Sequence, residues 1–190
     1  MSGSGTLQAL NGGVFVHTSL GEASLSLSGS ATFDLVGASA SSTWDMAGDT
    51  GIPGLSHTLS VSGSLVTAEA GGLNAYATDS DQQALIKFIA DGSGFSTFSV
   101  GTLNLSGGAK AADLEVDVAG LGAGTYDLFS YTTLSGSAFN SVTILNGNGT
   151  IDYGAGSSDT VSITVVPEPS TLALFGMAGA AALMAFRRRR

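Results

Sequence analysis

The chain has 190 residues, 28 of them glycine, no cysteine and a formal net charge of −9. That length suits one domain with a tail, and the missing cysteine excludes disulfides, zinc thiolates and cysteine nucleophiles. Residues 1–170 hold all fifteen carboxylates against Lys87 and Lys110 alone, a formal −13, while the other four cations are the last four residues; a body this acidic repels phosphates, so no nucleic acid is expected as a partner.

The opening stretch, MSGSGTLQALNGGVFVHTSL, has no basic segment followed by an unbroken apolar run, so it does not read as a secretory signal. From Ala23 onward, Leu, Val, Ile and Phe recur too often for a disordered chain, despite the many Gly and Ser. In EASLSLSGSATFDLVG, Ala23, Leu25 and Leu27 alternate with serine, and Ala31, Phe33 and Leu35 resume the pattern after Gly29. Such period-two alternation marks half-buried strands. Residues 38–56 carry Trp44 and Pro53 and break the alternation, which predicts a long loop or cap. HTLSVSGSLV resumes it, and ALIKFIADG is apolar on both faces apart from Lys87, which predicts a more central strand ended by a turn at Asp91-Gly92.

FSTFSVGTLNLSGG, ADLEVDVAG, GTYDLFSYTTLSG, FNSVTILNGNG and DTVSITVV follow, each of strand length and each bounded by Gly, Asn or Asp. Nine or ten short strands with turn signals every eight to twelve residues predict an all-β body over residues 1–165. The expected architecture is an antiparallel, jelly-roll-like β-sandwich, with a right-handed β-helix as the alternative, because Gly- and Ser-rich alternation also suits solenoid coils.

Few residues of the body suggest chemistry. His17 and His57 are far apart in sequence and no Gly-x-Ser-x-Gly elbow accompanies them, so no catalytic residue and no cofactor is expected. In ADLEVDV, Asp113, Glu115 and Asp117 alternate with Leu114, Val116 and Val118, which places three carboxylates on one face of a strand. They are weak candidates for Ca²⁺, and the plain alternative is a solvated acidic face. Paired acids of a glycosidase are not singled out, and Trp44 is the only tryptophan to serve as a sugar platform.

The last 25 residues, VPEPSTLALFGMAGAAALMAFRRRR, form a separate unit over 166–190. Residues 171–186 have no charge and no proline, and their apolar side chains go all round a helical wheel, so a helix in lipid is expected there, with Leu172, Leu174, Phe175, Gly176, Leu183 and Phe186 among its anchoring residues. A buried core helix is the alternative, because the run is shorter than the roughly 20 residues that span a bilayer. Arg187, Arg188, Arg189 and Arg190 favour the membrane: they would need buried anions in a core, whereas at a bilayer they snorkel to the headgroups and act as a cytoplasmic stop. Pro167 and Pro169 restrict φ and lack amide hydrogens, which keeps the segment around Glu168 extended.

Pro167-Glu168-Pro169 followed by Ser170, then Leu174-Phe175-Gly176 in an apolar run, then a basic terminus, closely resembles the PEP-CTERM sorting signal of Gram-negative bacteria. The resemblance is confined to the tail. It implies passage through the inner membrane, an exosortase as partner, cleavage near the Pro-Glu-Pro box, and a final place at the cell surface or outside the cell, linked to exopolysaccharide or biofilm. It also implies a signal peptide at the start, so the reading frame is expected to continue upstream of Met1. The body is then expected to be a surface or matrix protein; the alternative is a carbohydrate-binding module or a glycan-active enzyme displayed in the same layer.

Overall fold

The computed structural model describes residues 56–166 throughout and, ahead of them, six strands: β1 (Gly5–Leu10), β2 (Val14–Val16), β3 (Ser19–Leu20), β4 (Ala23–Ser28), β5 (Thr32–Asp34) and β6 (Thr43–Asp45). Eleven more follow. They are β7 (Ser56–Ser62), β8 (Thr67–Asn74), β9 (Tyr76–Ala77), β10 (Gln83–Ile89), β11 (Phe98–Asn104), β12 (Lys110–Ala111), β13 (Asp113–Asp117), β14 (Gly124–Ser135), β15 (Ser141–Leu145), β16 (Asn148–Asp152) and β17 (Ser157–Val166). The described residues contain no helix; the expected membrane helix at 171–186 lies outside them.

One sheet has the order β1-β4-β7-β10-β13-β15, and every neighbouring pair in it is parallel. The other runs β2-β5-β8-β11-β14 in parallel, with β6 pairing β8 and β3 pairing β6 beside it. It then ends in two antiparallel steps, β14 with β17 and β17 with β16. The long strands alternate between the two sheets along the chain, so the polypeptide winds in coils.

The body is therefore all-β with a β-solenoid-like arrangement, and the expected antiparallel sandwich is wrong. The reason is physical: alternation of apolar and polar residues reports which face of a strand is buried, not the direction of its neighbour. A parallel coil gives the same pattern provided that each turn repeats it. Here Ser56 aligns with Gln83, Leu85 with Asp113 and Asp113 with Ser141, an offset of 27 or 28 residues per coil.

Stacking at that offset builds apolar columns. Leu59, Ile86, Leu114 and Val142 form one, and Val61, Phe88, Val116 and Ile144 the next. Across the interior, Phe88 meets Phe129 of the opposite sheet edge-on, with ring centroids 5.1 Å apart, and Phe129 continues to Phe98 and Phe139. Edge-on aromatic pairs of this kind add about 0.5–1.5 kcal/mol beyond the area they bury. At the carboxy ends of β8 and β11 a polar pair is also stacked: the Asn104 side-chain amide donates to the Asn74 side-chain oxygen at 3.2 Å, with those two residues in register on adjacent parallel strands.

β10 is central, as expected, between β7 and β13. Within 38–56, where a loop or cap is expected, the structure places the short strand β6, with Trp44 opposite Leu73 of β8, and the start of β7.

Candidate functional site

The acidic strand β13 lies in the first sheet between β10 and β15, with its three acids on the outer side and Leu114 and Val116 buried in the core. Each of its carboxylates is engaged by a neighbouring coil. Asp113 accepts hydrogen bonds from Ser141 Oγ at 2.6 Å, Asn140 Nδ2 at 2.7 Å and Gln83 Nε2 at 3.4 Å. Partial burial pushes its pKa up, but those three donors and the Lys110 charge outweigh it and hold the carboxyl below its usual range. Glu115 forms an ion pair with Lys87 at 3.1 Å, the residue in register with it on β10. Asp117 accepts from Ala119 N at 3.0 Å and Asn146 Nδ2 at 2.8 Å.

The three acids thus share a face, as the alternation predicts, but they turn to separate partners. Among the described residues no group of three or more His, Asp or Glu side chains is placed to hold a metal ion. His57 is in β7 opposite Ala84, and His17 lies outside the described residues.

Two polar residues organise the ends of the coils, Asp91, which the sequence marks only as a turn residue, and Tyr131, which it does not single out. Asp91, in the turn after β10, accepts from Ser64 of the preceding coil and from the backbone of Ser93 and Gly94. Tyr131, buried in β14, donates its hydroxyl hydrogen to the Tyr153 carbonyl and accepts from Gly156 N, fixing the β16–β17 turn from below. An Asp-Gly pair is a turn signal, so part of the role of Asp91 was visible; nothing in the sequence near Tyr131 points to a turn 22 residues away.

β17 is the last described strand and sits between β14 and β16. Val165 is in register with Gly124 on one side and Gly149 on the other, and Val166 with Asn148. Pro167 follows at once. The whole tail, comprising Pro167 to Ser170, the anchoring residues from Leu172 to Phe186, and Arg187 to Arg190, lies outside the described residues. No helix among the described residues is long and apolar enough to cross a membrane.

Comparison with curated proteins and with solved structures finds no match to the chain. Residues 165–190 do match a family, described as the PEP-CTERM protein-sorting motif. The motif implies exosortase-dependent processing, passage through the membrane and delivery to the cell surface or beyond. The chain thus carries a PEP-CTERM sorting motif at residues 165–190, directly behind the last described strand of an acidic, β-solenoid-like body.

Proposed function

We propose that the chain is a surface or extracellular-matrix protein, cleaved by an exosortase near Pro167-Glu168-Pro169, whose body serves structurally in an exopolysaccharide or biofilm layer. The observation that carries this reading is the junction: the box begins directly after Val166, where the ladder of β17 ends. Two prolines without amide hydrogens cannot prolong that ladder, so the box favours an extended segment outside the sheet. Such a segment is what a membrane protease can grip. Residues 171–186 are proposed as its membrane helix and Arg187 to Arg190 as the cytoplasmic stop, so the anchor and the cut are separated by only a few residues.

The test is the intact mass of the mature protein from hosts with and without an exosortase. With the enzyme the chain should end near the box and leave the membrane fraction; without it the chain should keep its tail and stay with membranes. The same mature end in both hosts overturns the reading. Co-sedimentation of the released body with exopolysaccharide supports the matrix role, whereas turnover of a labelled exopolysaccharide favours the glycan-active alternative.

A further inference from the structure

We propose that the end of the solenoid formed by β15 and β16 is a self-docking surface, where two copies meet about a twofold axis parallel to the strands and β15 of each pairs antiparallel with β16 of the other. The two sheets do not end level. The first carries six strands and ends at β15; the main path of the second carries seven, because β17 lies beside β14 and β16 lies beyond it. β16 therefore projects one strand spacing, about 4.8 Å, past β15. No strand of the described residues pairs with the outer edge of either.

Directions follow from the pairings. β14 opposes β17 and β17 opposes β16, so β16 runs with the parallel strands of its own sheet. The chain reverses between the facing sheets in each coil, so β16 runs against β15. A half-turn about an axis along the strands, midway between the sheets, exchanges the sheets and keeps the strand directions. It puts the projecting β16 of each copy into the recess above β15 of the other, with antiparallel polarity in both places. Docking β15 on a second β15 would drive the two projecting β16 strands together, and stacking β1 on β15 would leave the step unmatched.

The faces also agree. Val142 and Ile144 continue the interior columns through Leu114 and Val116, and Gly149 and Ile151 stand in register with the buried Val165 and Ile163. With Thr143 opposite Thr150, Val142 falls opposite Ile151 and Ile144 opposite Gly149, so interior positions meet interior positions. Val142 is 40 % exposed although Leu114, next in its column, is 1 % exposed: the column stops with an apolar face uncovered. Asp152 is the one charged residue on either edge, and it falls opposite Ser141. Unpaired, nearly uncharged edge strands such as these two, five residues each, are templates for pairing with another chain, and Asp152 is the one like charge their edges bring together.

The absence of native cysteine permits a clean test on the full chain in detergent micelles. Thr143→Cys and Thr150→Cys each replace an exposed residue, one on β15 and one on β16, and because each single variant carries one cysteine, any bond between them joins two chains. Directly opposed residues of an antiparallel pair are about 4.5–5.5 Å apart at Cα, within disulfide range. Mild oxidation of an equimolar mixture of the two single variants should give a covalent species of twice the chain mass that joins one variant to the other. Adding Val142→Lys, with the β-sheet circular dichroism unchanged, should lower the cross-linked fraction at least fivefold. Cross-linking of Thr143→Cys with itself, or a single-chain mass by light scattering with no cross-link in the mixture, overturns the proposal.

Discussion

Asp91 accepts two hydrogen bonds from Ser64, one from its backbone nitrogen at 2.9 Å and one from its hydroxyl at 2.7 Å, and so ties the turn of one coil to the turn of the coil before it. Its other oxygen takes the amides of Ser93 and Gly94 at 2.9 and 3.3 Å. The Ser64 hydroxyl is the largest cause, and the Ser93 amide the next, of a carboxyl pKa lowered from 3.8 to about 2. A depressed folded-state pKa means stability that is present above the unfolded value and lost as pH falls through the folded one. The Asp91→Asn variant should therefore melt below the parent at neutral pH, with the gap closing between about pH 4 and pH 2. A gap of the same size at pH 2, followed by thermal melts across that range, would show that the charge of Asp91 is not what holds the two turns.

Phe88 predicts the largest single loss. It is fully buried between Val61 and Val116 in its column and meets Phe129 and Phe95 edge-on. Phe88→Ala should cost about 3–5 kcal/mol in urea unfolding, by lost transfer energy and the cavity left behind. Its outward neighbour is the control. Lys87→Ala removes a partly exposed ion pair and should cost no more than about 1 kcal/mol. Equal losses at the two positions would mean that the inward and outward faces of β10 are misassigned.

Gly154 sits in the β16–β17 turn at φ +68, a conformation that side chains disfavour. A Cβ there would lie 2.6 Å from Asp159 Cγ and 2.8 Å from the Thr160 carbonyl oxygen. It would displace the carboxylate that accepts from Ala155 N at 2.7 Å and Thr160 N at 2.8 Å. Gly154→Ala should destabilise by about 1–3 kcal/mol and speed amide exchange in β16 and β17. Gly122→Ala, with open space around it and no positive φ, should stay within about 0.5 kcal/mol of the parent.

The inward and outward faces of these strands were legible because they depend only on alternation, as in β13, where Leu114 and Val116 are buried between three outer acids. Strand direction was not. The offsets of 27 and 28 residues across β7, β10, β13 and β15 are preceded by 18 between Gly5 and Ala23 and 34 between Leu25 and Leu59, so the period that marks a solenoid is blurred at the start of the chain. The same offset hides the partners of the acids. Lys87, Asn140 and Asn146 reach Glu115, Asp113 and Asp117 across 27 to 29 residues, and only the register brings them together. The sorting motif was legible for the opposite reason: box, apolar run and basic end are read in linear order and need no register.

The four terminal arginines carry the last prediction. Lys87 and Lys110 are the only other cations and are far from the apolar run, so positive charge able to set its orientation exists only after Phe186. Moving one arginine to the centre of a bilayer costs roughly 2.5–3.5 kcal/mol on the insertion scale, so carrying four across is strongly opposed. The carboxy terminus should stay in the cytoplasm with the body on the far side. Replacing Arg187, Arg188, Arg189 and Arg190 with Asn should weaken retention of the precursor and slow its processing, although Pro167, Glu168 and Pro169 are untouched. The measurement is protease protection on spheroplasts of an exosortase-deficient host, with one tag in the body and another after Arg190. Digestion of the body tag with protection of the terminal tag is the expected result; the reverse pattern inverts the orientation and removes the argument that the body is exported.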